Sequence, residues 1–196
     1  MSDALIATMN QKGIYVMPNI GAPERGTHTT PPPWFEEPYL AGMLRDTVAP
    51  EVIARIRNSF ASRDAATAAR NKANYEILQR SLAKLNAAGA RIILGSDTGL
   101  EDHFFGYAEQ KELELMAAAG MTPSQVIVAA TSRAAEFLGL ADAGTLAPGK
   151  RADFLVLDAN PLDDIRNTRR IARMYLAGAA VDRAALKGAL APNARN

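Results

Sequence analysis

The chain has 196 residues, of which 48% are hydrophobic and 22% charged, and its formal net charge is +1. This composition is ordinary for a globular protein, and the charge gives no reason to expect nucleic acid or an acidic membrane surface as a partner. The absence of cysteine excludes disulfides, thiol nucleophiles and thiolate metal sites. No signal-peptide pattern and no apolar run of ~20 residues is visible. We therefore expect a cytoplasmic protein without a membrane span, unless a signal peptide lies upstream of Met1.

The first predicted elements are a short helix and a short strand. An apolar stripe on residues 2–12 predicts a helix that Gly13 ends. The apolar run 14–17, ended by Pro18, predicts a buried strand of the kind that parallel sheets contain.

Residues 19 to about 62 differ in character, because repeated prolines break regular elements and aromatic residues interleave with them. A loop of this length inside a compact domain is usually functional, so we interpret 21–62 as a lid-like insertion. The one regular element expected within it is a short helix over 51–60. We expect Trp34, Phe35 and Tyr39 to pack the insertion onto the domain, with a substrate-pocket lining as the alternative.

A second helix and strand follow the insertion. The pattern predicts a long helix over 64–88 that Gly89 ends, then a strand over 91–97, a loop over 98–107 and a helix over 108–119. The next helix has the signature of a capping box, with Thr122 at the N-cap, and should extend to about residue 138. Beyond Gly139 we expect a strand over 152–158, a hairpin over 173–181 and a frayed polar end.

Strands that alternate with helices predict parallel βα units. Two units alone would leave apolar faces and open strand edges, so we expect the chain to be incomplete. Asp97 ends the second predicted strand, where α/β barrels place their active-site residues. From position alone, a catalytic role and a cap for the following turn are equally supported.

Several segments in register resemble the amidohydrolase superfamily, in the branch that includes imidazolonepropionase-like hydrolases and metal-dependent dipeptidases. They are residues 92–99, 112–116, 119–123, 129–131, 134–140 and 144–153. The resemblance implies an α/β fold made of the last two βα units of a TIM-like (β/α)8 barrel and part of a small β-sandwich. The expected boundaries are 1–138 for the partial barrel and 139–196 for the partial β-sandwich and tail.

The resemblance also implies a chemistry. Asp97 would bind a divalent metal, with zinc favoured and one or two ions in the full-length parent, and would accept a proton from metal-activated water. Water would then attack an amide or other non-ester C–N bond of a small-molecule or peptide-like substrate. His103, on the loop after Asp97, would contact the substrate, with an ordinary loop residue as the alternative.

The family's other metal ligands are a His-x-His pair, often a carboxylated lysine, and two later histidines. This chain contains only His28 and His103, and neither stands in such a context. We therefore expect the isolated chain to bind metal poorly and to be inactive. The alternatives are an inactive remnant, one that self-associates, or one half of a split enzyme that awaits an N-terminal half.

Overall fold

A computed structural model describes residues 1–99 and 102–190. The end that the sequence predicts to be frayed, 191–196, lies outside these residues. The helices are α1 (Asp3–Gln11), α2 (Gly21–Arg25), α3 (Pro38–Thr47), α4 (Pro50–Ala61), α5 (Ala65–Ala87), α6 (Tyr107–Ala118), α7 (Pro123–Ala130), α8 (Ser132–Phe137) and α9 (Arg183–Leu190). The strands are β1 (Tyr15–Val16), β2 (Arg91–Ile92), β3 (Phe154–Leu157), β4 (Ile171–Leu176) and β5 (Ala179–Ala180). Two 3₁₀ turns span Pro33–Glu36 and Ile165–Arg169.

Side-chain caps define the start of several helices, among them α1, α5 and α7. Ser2 caps α1 by accepting a hydrogen bond from Leu5 N at 3.3 Å, and Asp64 caps α5 by accepting from Thr67 N at 2.7 Å. The capping box predicted for α7 is confirmed, because Thr122 and Gln125 each satisfy the other's backbone N–H. That helix is shorter than expected, since the backbone at Thr131 (φ −126°, ψ −91°) separates α7 from α8.

The two predicted parallel strands pair with each other, with Tyr15 opposite Arg91 and Val16 opposite Ile92. Both are shorter than the sequence predicts. Ile93 N still donates to Val16 O at 2.9 Å, but Leu94 N donates to Ala129 O at 3.1 Å, on α7. The predicted 91–97 strand therefore leaves the ladder after Ile93, and residues 93–99 belong to neither a helix nor a strand.

The main core lies around this parallel pair. It packs α1, α5, α6 and α7 together and includes one residue of the second 3₁₀ turn. Its buried members are Ile6, Ile20, Leu82, Leu85, Ala90, Ile92, Leu113, Leu115, Met116, Ala119, Met121, Val126, Ala129 and Ile165. The core thus fixes both strand ends against the helices that follow them.

The insertion is more regular than predicted. Residues 21–61 contain α2, a 3₁₀ turn, α3 and α4, and prolines occupy the first turns of these elements. The prediction was wrong because proline lacks only an N–H that the first helical turn leaves unpaired in any case. The insertion has its own core, consisting of Trp34, Phe35, Leu40, Leu44, Ile56, Phe60 and Tyr107. Since Tyr107 begins α6, this second core attaches the insertion to the rest of the fold.

The C-terminal part forms an antiparallel sheet in the order β3-β4-β5, with a register shift between Val156 and Leu157. The predicted hairpin is confirmed, and Ala177 and Gly178 make its turn with positive φ values of 49° and 80°. The helix α9 was not predicted. No described helix is both long and apolar enough to cross a membrane.

Candidate active site

Asp97 and Asn19 follow the two parallel strands at the same edge of the sheet. Both have left-handed backbones, with φ values of 55° for Asp97 and 46° for Asn19. Gly95 lies against Asn19, and a Cβ there would come within 2.6 Å of Asn19 Oδ1. Asn19 Oδ1 is buried and has no hydrogen-bond partner among the described residues. Asp97 itself is exposed.

The residues on either side of Asp97 are bound to one carboxylate. Ser96 Oγ donates to Glu109 Oε1 at 2.8 Å, and Thr98 Oγ1 donates to the same oxygen at 3.0 Å. Glu109 Oε2 accepts from Gly106 N at 2.7 Å, which caps α6. Burial acts against the charged form, but these hydrogen bonds outweigh it and lower the pKa of Glu109. Glu109 therefore remains an ionised acceptor at neutral pH.

His103 contacts the backbone of Asp97. Its Nδ1 lies 3.1 Å from the Asp97 carbonyl oxygen, and because a carbonyl only accepts, Nδ1 must carry the hydrogen. The residue is 7% exposed, and its Nε2 faces Gly21, where a Cβ would lie 3.5 Å away. A substrate contact of His103 stays a prediction, and it would require this side to open.

Glu112 of α6 is buried on the same side of Gly21 as His103, and a Cβ on Gly21 would lie 3.1 Å from its Oε2. It is fully inaccessible and accepts hydrogen bonds from Ile20 N at 2.9 Å and Gly21 N at 2.7 Å. Burial outweighs those two bonds and raises the pKa of Glu112 to about 7. Burial, followed by the charges of Glu24 and Glu112, also raises the pKa of nearby Tyr75 to about 12. Glu112 thus joins the loop after β1 to the helix after Asp97.

Asp102 links the insertion to the loop that follows Asp97. It forms ion pairs with Arg25 of α2 and with Arg63, which lies between α4 and α5. Arg63 Nη1 also donates to Arg25 O at 2.7 Å. A buried carboxylate between two arginines is a strong attachment, since losing it would leave two desolvated cations.

The second histidine lies within the insertion. His28 is half-buried, and its Nε2 is 2.9 Å from Glu24 Oε1. The ring also makes an edge contact with Trp34, with centroids 6.4 Å apart. These contacts are local to the insertion, as expected for an ordinary loop residue.

The residues around Asp97 fit a divalent metal only in part. An exposed carboxylate is a suitable oxygen ligand, but a catalytic zinc normally takes about three protein ligands. Within residues 1–99 and 102–190, no group of three or more His, Cys, Asp or Glu residues could hold a metal ion. These residues alone therefore do not make a complete metal centre.

The sequence singled out Asp97 and His103 but missed the roles of Glu109 and Glu112. Glu109 stands three residues after Gly106, a spacing that could have indicated a helix cap. Nothing in the sequence indicates that its second oxygen accepts from Ser96 and Thr98. For Glu112 the signal is weaker still, because its partners lie about ninety residues away.

Comparison with known proteins decides the family. The model of the amidohydrolase family matches residues 7–181. The chain belongs to the amidohydrolase family. An imidazolonepropionase from Deinococcus radiodurans is 44% identical over 62 residues, which are 30% of this chain and 16% of that protein. One from Deinococcus deserti is 38% identical over 86 residues, which are 43% of this chain and 21% of that protein.

A solved Xaa-Pro dipeptidase with methionine bound in its active site has the same fold. Its TM-score is 0.64 at 20% identity, and the match covers 92% of this chain and 37% of that chain. The amidohydrolase chain thus spans well under half the length of the relatives it matches. The resemblance to the superfamily and a mixed α/β architecture are confirmed, whereas the domain boundaries and the site residues stay predictions.

Proposed function

We propose that this amidohydrolase chain contributes the last two βα units of a TIM-like barrel, with part of a small β-sandwich after them. The enzyme that contains it would hydrolyse amide or other non-ester C–N bonds. The observation that carries the proposal is the exposed carboxylate of Asp97 at the carboxyl end of one of two parallel strands. Active sites of α/β barrels lie at that end of the strands.

In this proposal Asp97 offers one oxygen to a divalent metal, with zinc favoured, and the other to a proton of the attacking water. A bound metal would lower the pKa of its water to about 7 and polarise the substrate carbonyl. Asp97 would then deliver the proton toward the leaving nitrogen. His103 would act beside it as a substrate contact. The substrate would be small or peptide-like, either a cyclic amide or a dipeptide, the two classes suggested by the names of the relatives.

A second candidate is that the isolated chain is inactive, as a remnant or as one half of a split enzyme. The lack of a three-ligand cluster among the described residues favours it. Exposed apolar residues near the parallel pair support a missing partner, including Ile14 at 43%, Met17 at 46% and Leu138 at 64% exposure. Such surfaces in monomers often mark contacts with another chain or copy.

The test is hydrolysis of Xaa-Pro dipeptides, N-acyl amino acids and imidazolone-type cyclic amides in the presence of Zn²⁺, Mn²⁺ or Co²⁺. It compares the chain alone with the chain co-expressed with a His-x-His-bearing N-terminal segment of a relative. We expect turnover only in the complemented sample, and its loss in Asp97→Ala with an unchanged melting temperature. Asp142→Ala, at an exposed loop position, is the matched control. Normal turnover by Asp97→Ala would refute the assignment, and turnover by the chain alone would refute the second candidate.

A further inference from the structure

Three consecutive residues beyond β2, Ser96, Asp97 and Thr98, are each hydrogen-bonded to α6 or to the loop before it. Ser96 and Thr98 donate to Glu109 Oε1 at 2.8 and 3.0 Å. The carbonyl of Asp97 accepts from His103 Nδ1 at 3.1 Å. The Asp97 side chain is left out of this arrangement and stays exposed. The backbone around Asp97 is thus held while its carboxylate remains accessible.

The backbone of Asp97 needs such support. A left-handed φ of 55° is unfavourable for a residue with a Cβ, although less so for Asp than for most, and hydrogen bonds from the surroundings help to hold it. Asp97 is the residue whose φ would otherwise relax, and with it the direction of its side chain. The hydrogen bonds on 96, 97 and 98 therefore act on the torsions that aim the carboxylate.

Resting on the proposed role of Asp97, we propose that Glu109 is a positioning residue for it, with His103 in a supporting role. The two oxygens of Glu109 have separate tasks. Oε2 caps α6 through Gly106 N at 2.7 Å, which any helix-capping glutamate could do. Oε1 accepts hydrogen bonds from the two hydroxyls that flank Asp97. A helix cap does not require these two hydrogen bonds. The burial of Ser96, 7% exposed, shields this side from water that would otherwise replace the bonds.

The division of tasks allows each oxygen to be tested separately. The double variant Ser96→Ala/Thr98→Val removes both hydroxyls and leaves the cap of α6 in place. Glu109→Ala removes the cap and the acceptor together. Thr98→Ser keeps the hydroxyl at position 98 and is the conservative control. Gln125→Ala removes the comparable residue of the α7 capping box, away from Asp97, and so controls for loss of a cap.

The readouts are the NMR resonances of Asp97 in the ¹³C,¹⁵N-labelled chain without metal, and Mn²⁺-induced broadening of those resonances in the labelled chain complemented with the His-x-His-bearing segment. Asp97→Asn identifies the carboxylate signal. We expect Ser96→Ala/Thr98→Val and Glu109→Ala to shift the Asp97 signals and to weaken Mn²⁺ broadening by roughly tenfold, as supporting residues of metal ligands do. Thr98→Ser and Gln125→Ala should leave both readouts unchanged, and combining the first two variants should add no further loss.

Unchanged Asp97 signals in Glu109→Ala, with that variant merely melting earlier as Gln125→Ala does, would overturn the proposal and leave Glu109 as a cap alone. If Mn²⁺ fails to broaden the Asp97 signals of the unmodified chain in the complemented sample, the proposed metal role of Asp97 fails. The metal-free shifts in Glu109→Ala, which changes no covalent neighbour of Asp97, then still decide whether Glu109 positions Asp97.

Discussion

Replacing Glu112 with glutamine should remove a pH dependence of folding that this one side chain creates. The carboxylate is inaccessible, and burial raises its pKa from an ordinary 4.5 to about 7. The native state therefore holds this proton more tightly than the unfolded chain does. The stability that the protonated form contributes is complete below pH 4.5 and is lost as the pH rises through about 7.

The size of the effect follows from that interval. It covers about 2.5 pH units, from 4.5 to about 7, and each unit corresponds to about 1.4 kcal/mol. The free energy of unfolding should therefore lose about 3 kcal/mol from Glu112 between pH 4.5 and 8. Glu112→Gln is neutral throughout, so its stability relative to the unmodified chain should rise by about 3 kcal/mol over the same range.

The assay is urea unfolding at several pH values, followed by the fluorescence of Trp34, which is the one tryptophan of the chain and is 8% exposed. Taking the difference between variant and unmodified chain cancels the other titrating groups. Glu76→Gln, at an exposed position of α5, is the matched control for exchanging a helical glutamate for glutamine. Because His103 approaches the same side of Gly21, the pair is repeated with His103→Asn. A flat difference for Glu112→Gln would refute the reasoning.

Three further predictions concern stability and the insertion. Phe60→Ala should lower the free energy of unfolding by about 4 kcal/mol, because this ring is completely buried in the second core. The control Phe105→Ala, at a ring that is 71% exposed, should change the urea midpoint little. Equal effects of the two variants would contradict the burial argument. Asp102→Asn should lower the free energy of unfolding by about 3 kcal/mol, because it leaves two arginines without their carboxylate. It should also speed proteolysis within 21–62. An unchanged cleavage rate would count against the attachment of the insertion through Asp102. Arg169→Met should lower the free energy of unfolding by about 3 kcal/mol, because the 11% exposed side chain of Arg169 pairs with Glu37 of the insertion and Glu114 of α6. A melting temperature equal to that of the unmodified chain would disprove this prediction.

Local signals predicted the local parts of this fold well. The cap at Thr122, the parallel pairing of the two apolar runs and the hairpin over 173–181 each depend on residues close in sequence, or on a regular pattern of burial. The insertion was mispredicted because the same proline can end a helix or begin one. Pro38 and Pro50 begin α3 and α4, and only the apolar spacing after each proline distinguishes the two cases.

Of the candidate site, the sequence predicts Asp97 and His103, and their roles stay predictions. The place of Asp97 after an apolar run makes it a candidate without knowledge of distant contacts, and the resemblance to the amidohydrolase superfamily favours the functional interpretation. Glu109 and Glu112 depend on partners that the chain brings together by folding, and a helical glutamate normally points to solvent. Glu112 accepts from the loop after β1, so its burial could not be inferred from the pattern of α6.

The ion pairs of Asp102 have a consequence for recombination among relatives. Asp102 lies beyond the insertion in sequence, while Arg25 lies within it and Arg63 lies just past its end. A chimaera that exchanged only 21–62 with another scaffold would separate Asp102 from Arg25. The buried carboxylate of Asp102 would then lack one of its two cations. A graft of the insertion that keeps both ion pairs would therefore have to extend from 21 to at least 102, and Tyr107 of the second core would still lie outside a segment that ends there.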